Sequence, residues 1–257
     1  MYMFTKYFYL VRHGETILNS ERKRQDEKGG LSERGIQEVE DLGNRLTYMH
    51  IQKMFVSPYE RTLQTADIVN KYLKLKKKNI VVTPLIAERR NPSNIIGLSY
   101  DDPLAKSFID IMDKSIHDPS LRISDEENFQ DLKERALKTQ QFLIKNSKKY
   151  NLCVTHGIFL KMFLSTLLYG KDLKVKEYIQ MNLYNPSDNA GVTLVKYSPL
   201  KNFFMPLRKF FDSVFGEDKT IEEEAEEKQT PKPDKYSAWE ILSYNDYTRD
   251  GFKRLHI

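Results

Sequence analysis

Arg12-His13-Gly14 closes an apolar run, Phe8-Tyr9-Leu10-Val11, and is followed by Glu15-Thr16. A neutral imidazole can attack phosphorus, and a neighbouring guanidinium offers phosphoryl oxygens a planar fork. An apolar run that stops in these residues reads as a strand that delivers both groups to the carboxyl edge of a sheet. In open α/β folds that edge is where ligands bind. Such a reaction also needs cations and donors for the equatorial oxygens and an acid for the leaving oxygen. Candidates recur along the chain. Ser57-Pro58-Tyr59-Glu60-Arg61-Thr62 turns from a second apolar run into a helix and sets Arg61 near its start, where the dipole favours an anion. Glu88 follows a third run within Leu85-Ile86-Ala87-Glu88-Arg89-Arg90, and Thr155-His156-Gly157 ends a fourth.

The elements that must position these groups alternate. Phe4–Val11, Lys53–Ser57, Ile80–Thr83, Asn151–Thr155 and Gly191–Tyr197 read as strands. Between them lie helical patterns. One is capped by Ser32 and runs to about Tyr48, with Ile36, Val39, Leu42, Leu46 and Met49 on one face. Another covers Glu60–Leu73 with Leu63, Ala66, Val69 and Leu73 inward; a third opens at Asp102-Pro103, a fourth covers Glu126–Asn146, and a fifth follows His156. Strands separated by helices imply right-handed crossovers, so the expected fold is α/β, a mostly parallel central sheet with helices on both faces. His13 and His156 then share one sheet edge.

Past Tyr197 the pattern changes. Pro199–Gly216 carries Phe203, Phe204, Leu207, Phe210, Phe211, Val214 and Phe215 at helical spacing, an acidic stretch follows, and Ser237–Tyr244 reads as a final strand. The expected organisation is one domain: a core over 1–198, an inserted amphipathic helix and acidic flexible loop over 199–235, and a returning strand and tail over 236–257. The insert's polar face includes Lys201, Arg208 and Lys209, which leaves contact with a membrane surface or a second copy open beside packing on the chain's own core.

Composition narrows the function classes. With 41 Lys and Arg against 36 Asp and Glu the chain is mildly basic, and the lysines at 71, 74, 76, 77 and 78 crowd a helix terminus, where they complement the dipole. A nucleic-acid partner is not expected. A single cysteine, Cys153, permits no intrachain disulfide and points to a reducing, cytoplasmic setting. A thiol phosphatase is excluded because the residue six positions beyond Cys153 is Phe159, where that chemistry needs arginine.

The chain resembles the histidine phosphatase superfamily, the phosphoglycerate mutase-like family. Leu10-Val11-Arg12-His13-Gly14-Glu15-Thr16 with Asn19 is similar to its opening signature, Ser57-Pro58 through Arg61-Thr62 to Gln64-Thr65-Ala66 to its second motif, and Thr155-His156-Gly157 to its third. Leu31-Ser32 with Gly35, and Asn189-Ala190-Gly191-Val192-Thr193 with Trp239-Glu240, resemble further elements. The resemblance implies His13 as the nucleophile that becomes phosphohistidine, with Arg12, Arg61 and His156 gripping the phosphoryl group and Asn19 assisting. It implies Glu88 as proton donor and then base, and neither a metal nor a cofactor. Arg89 and Gly157 complete the expected substrate contacts. The implied substrate is a small phosphorylated molecule or a phosphoprotein; hydrolysis is expected, phosphoglycerate mutation is the alternative, and an inactive scaffold binding through the insert is a third. Between Asn19 and Leu31 the chain departs from the family pattern with the basic run Arg22-Lys23-Arg24.

Overall fold

Strand β1 (Lys6–Arg12) alternates its apolar side chains between two cores, as the two-residue period of an extended chain requires. Phe8 and Leu10 join one cluster, Tyr9 and Val11 the other. A strand buried on both faces must read as an almost continuous apolar run, and this one does. The structure is a computed structural model that describes residues 5–107, 118–122, 124–199 and 237–246. The Phe-rich helix and acidic loop expected within 199–235 therefore lie, from residue 200 on, outside the described residues.

The six-stranded sheet has the order β3-β2-β4-β1-β5-β6, with β2 (Lys53–Val56), β3 (Ile80–Val82), β4 (Tyr150–Thr155), β5 (Val192–Tyr197) and β6 (Trp239–Asp246). Pairs β1–β4, β4–β2 and β2–β3 are parallel, and β5 runs antiparallel to both its neighbours. Five strands thus point one way, and the sheet is mostly parallel as expected. Helices α2 (Glu33–Leu46) and α3 (Glu60–Leu73) cover one face through Val39, Leu42, Leu46, Ala66 and Val69. Helices α4 (Phe129–Asn146) and α5 (Gly157–Tyr169) cover the other through Leu132, Leu143, Phe159 and Phe163. Each of these valines, leucines and phenylalanines contributes about 1.5–3 kcal/mol on leaving water. Helix α5 is apolar on nearly every side because it is buried there. No helix among the described residues is long and apolar enough to cross a membrane.

Local chemistry fixes several boundaries. Ser32 caps α2 by accepting the Gly35 amide at 3.0 Å. Asn128 and Asp131 form a capping box, so α4 begins at Phe129 rather than Glu126. The pattern at Asp102-Pro103 does open a helix, described over 103–107. Two elements were not anticipated: the four-residue α1 (Ile17–Ser20), and α6 (Val175–Tyr184), whose end exposes Leu183 and Tyr184.

Two residues expected to face inward do not. Ile36 is 41% and Leu63 37% exposed. The inward face of α2 is set by Gly35, whose added Cβ would lie 2.0 Å from the Glu15 carbonyl oxygen, which turns Ile36 to the flank. In α3 the first turn buries Arg61, Thr62 and Thr65 instead, and Leu63 rotates outward.

Candidate active site

The register of β1 and β4 decides the geometry. Arg12 stands opposite Thr155, and the His13 amide donates to the Thr155 carbonyl at 3.0 Å. His13 and His156 are therefore consecutive exits from neighbouring parallel strands, with ring centroids 5.2 Å apart and an interplanar angle of 63°. They lie 143 positions apart in sequence, as 156 − 13.

His13 is oriented by its own backbone. Its Nδ1–H donates to the Gly14 carbonyl at 2.8 Å, so the proton sits on Nδ1 and Nε2 carries the free lone pair. Arg61 Nε–H donates to that lone pair at 3.2 Å. The His13 carbonyl is held from behind by the Asn189 side-chain amide at 3.0 Å and the Ala190 amide at 3.3 Å. Ala190 adopts φ 55°, a left-handed conformation that also aims its amide at the Arg12 carbonyl at 3.0 Å. Gly14 is required: a Cβ there would lie 2.6 Å from the Gly35 carbonyl oxygen and 2.6 Å from Val39 Cγ2.

His156 is oriented by Ser57, whose Oγ lies 2.7 Å from Nε2 and accepts the Tyr59 amide at 3.5 Å. The hydroxyl can donate to Nε2 or accept from it, and the second ring nitrogen of His156 is Nδ1. That Nδ1 is buried and has no protein partner. Burial first, then the Arg61 and Arg12 cations, hold His13 well below the ordinary histidine range. Burial, Arg61, His13, Arg12 and Arg135 do the same to His156. Both rings are therefore neutral near pH 7. That state leaves the Nε2 of His13 unprotonated.

Arg61 is buried at the second position of α3; one Nη donates to the Asp26 carbonyl at 2.7 Å and its guanidinium lies 5.0 Å from the Tyr59 ring centroid. Arg12 donates through one Nη to the Ser187 carbonyl, and its buried Nε has no protein partner. Gly157 packs beside it, and a Cβ there would lie 3.0 Å from Ser187 Oγ. Glu88 accepts backbone amides at the start of α5, Phe159 at 2.9 Å and Ile158 at 3.2 Å, a position the helix dipole favours for an anion. Its charge acts on both Arg12 and Arg61. The structure thus gathers His13, Arg12, Arg61, His156, Gly157 and Glu88 at one sheet edge.

Asn19 is placed differently. Its side-chain oxygen closes the capping box of α1 with the Thr16 amide at 3.4 Å, so only its NH2 group remains for a ligand. Arg89 leaves the pair it forms with Glu88 in sequence and bonds Asn91 at 3.3 Å, with its Nε buried and unpartnered. Sequence reasoning named Ser57 and Asn189 within motifs but gave them no role, and it missed Ser187 and Arg135. Arg135 pairs with Glu127 at 2.6 and 2.7 Å and donates to the Ala87 carbonyl at 2.8 Å and the Leu85 carbonyl at 3.1 Å, which holds the segment carrying Glu88. Nothing in the spacing of Glu127 and Arg135 marked them, because they act through backbone that only folding brings near.

The fold and the site define an α/β protein with a buried histidine–arginine pocket at the carboxyl edge of its sheet. The chain belongs to the histidine phosphatase superfamily (branch 1), whose family model matches residues 8–205. It is similar to the fructose-2,6-bisphosphatase TIGAR B of Danio rerio, 25% identical over 225 residues that cover 74% of this chain and 86% of the relative. It is also similar to a protein named "Probable phosphoglycerate mutase GpmB" from Proteus mirabilis, 30% identical over 169 residues, covering 62% of this chain and 74% of that one. Among solved structures, Bacillus stearothermophilus YhfR superposes with a TM-score of 0.62 at 26% identity, covering 75% of this chain and 91% of that chain.

Proposed function

We propose that the protein is a phosphatase that hydrolyses phosphomonoesters through a phosphohistidine on His13. The observation that carries this reading is the Nδ1–H bond of His13 to the Gly14 carbonyl, which leaves Nε2 unprotonated and facing the Arg61 Nε–H at 3.2 Å, with the His156 ring beside it. In the first step Nε2 attacks phosphorus, the bond to the ester oxygen breaks, and Glu88, having first taken a proton from water, passes it to that oxygen. In the second step Glu88 takes a proton from water as its oxygen joins phosphorus, the N–P bond breaks and inorganic phosphate leaves. Arg12, Arg61 and His156 meet the charge on the equatorial oxygens. Asn19 assists through its NH2 group. The scheme uses no metal and no cofactor. Its substrate is a small phosphorylated molecule or a phosphoprotein.

A rapid quench with a labelled phosphoester tests the reading. Acid-labile label on His13 that decays to free phosphate is the expected result, and His13→Ala abolishes both. Transfer of the label to phosphoglycerate would assign the mutase activity, which the relatives named GpmB make the alternative. Turnover that survives in His13→Ala refutes the nucleophile.

A further inference from the structure

The edge of the sheet opposite the pocket collects cations without counter-charges. Strands β3, β2, β4 and β1 are parallel neighbours, so the segments that enter them share one edge. Register sets these segments side by side: Met54 stands opposite Ile80, Lys53 opposite Asn151 and Tyr7 opposite Tyr150. Hydrogen bonds tie them together, the Tyr7 amide to the Lys149 carbonyl at 2.8 Å and the Gln52 amide to the Tyr150 carbonyl at 2.9 Å. Lys76, Lys77 and Lys78 precede β3, Lys145, Lys148 and Lys149 precede β4, and all are exposed. Two strand spacings, about 10 Å, separate the two runs. No Asp or Glu occurs in residues 1–14, 42–59, 68–87 or 135–171. Among the described residues none of these exposed lysines pairs with a carboxylate.

Helix dipoles do not account for them. The last turn of α3 carries Lys71, and Lys76–Lys78 lie beyond its end. Lys145 does lie in the last turn of α4, but the Ile144 and Asn146 carbonyls there already accept from Lys6 and Lys53. The type and company of the lysines select a partner. No arginine occurs in residues 1–7, 47–53, 71–80 or 144–151. A groove that reads individual phosphates favours arginine forks, whereas lysine is a flexible point charge that suits a diffuse negative surface. Tyr48, 77% exposed, sits in the turn that leads into β2 at this same edge, where an aromatic ring can enter a headgroup layer. The Ser198 amide donates to the Ala238 carbonyl at 2.8 Å, so the chain leaves the described fold after β5 and returns before β6 at this edge too. The segment between, whose sequence includes Lys201, Arg208 and Lys209, is thus tethered here at both ends.

We infer that this lysine edge docks the protein on an anionic lipid bilayer. The pocket lies at the other ends of the same strands, a strand length of about 20 Å away, and stays open to water when the edge is seated. The inference is independent of the phosphatase reading, because none of these lysines takes part in the pocket.

Co-sedimentation of the full chain with vesicles reads the docking. The protein should bind vesicles of phosphatidylcholine mixed with phosphatidylserine, bind phosphatidylcholine alone at least about tenfold more weakly, and be released by salt. The triple variant Lys76→Glu, Lys77→Glu, Lys78→Glu and the double variant Lys148→Glu, Lys149→Glu should each weaken binding by about tenfold or more, while Lys148→Arg, Lys149→Arg retains it. Thermal unfolding checks that each variant folds, and Lys148→Gln, Lys149→Gln replaces a glutamate variant that does not. Equal binding to both kinds of vesicle, or full binding by the glutamate variants, overturns the inference. Retention of the parent on duplex DNA or on RNA with none on the vesicles also overturns it and gives the lysines a nucleic-acid partner. Turnover plays no part in this readout, so loss of the phosphatase reading would leave the docking result standing.

Discussion

Mild acid should destabilise this protein by way of its two pocket histidines. His13 and His156 are 3% and 0% exposed, and burial with the nearby guanidiniums holds both well below their ordinary range. In the unfolded chain each titrates near about 6.5. The unfolded state therefore binds more protons below that value, and stability falls with pH. Above about pH 6.5 neither ring is charged in either state and the contribution is complete. It is lost as pH falls from the unfolded value toward the depressed folded one. Between about pH 6.5 and 5.5 an unfolded histidine of this kind gains about 1 kcal/mol from protonation that the folded ring does not share, so the pair costs about 2 kcal/mol. That is a large part of a typical folding stability of about 5–15 kcal/mol. Urea unfolding of the parent, His13→Asn and His156→Asn at a series of pH values isolates the effect. Each single variant should recover about half of the loss, roughly 1 kcal/mol, whatever the carboxylates contribute to all three. A pH dependence that both variants share with the parent would show that the rings are not held neutral, and the account of the nucleophile would fail with it.

Other consequences are simpler to read. Ser57→Ala removes the hydroxyl that orients His156 and should lower kcat/KM about tenfold to a hundredfold, with stability changed far less; equal kinetics would refute the orienting role. Gly35→Ala forces a Cβ to 2.0 Å from the Glu15 carbonyl oxygen, so thermal unfolding should report a loss of about 1–3 kcal/mol as the turn behind His13 gives way. Arg135→Leu leaves Glu127, whose side chain is 14% exposed, without its partner and frees the Glu88 segment. It should cost about 3–5 kcal/mol, and Arg135→Lys should not restore the wild-type stability, because a lysine cannot fork to a carboxylate while reaching two carbonyls.

The strand ends were readable because each joins two independent signals. The run before Arg12 is apolar on consecutive residues, as a strand covered on both faces must be, and it stops at a glycine whose lack of a Cβ the packing needs. Pro58 and Pro84 marked their turns for the same reason of local sterics. The inward faces of α2 and α3 were read less well. Ile36 and Leu63 have the spacing of core residues, but glycine contacts in one helix and a buried arginine in the other decide the rotation. Helix α6 left little signal, since its burial comes from neighbours that cover Val175 and Tyr178 rather than from a sharp apolar stripe.

Residue types and spacing by themselves determined the alternation of strands and helices and the sheet edge at which His13, Arg12, Arg61 and His156 come together. Those properties are local: a strand period, a cap or a turn involves only a few neighbouring residues. Tertiary structure alone decided that the His13 proton sits on Nδ1, that Ser57 meets His156, and that Arg135 braces the segment of Glu88. Such facts depend on hydrogen-bond partners tens of positions away. No window of sequence contains both ends of those bonds until the sheet register brings them together.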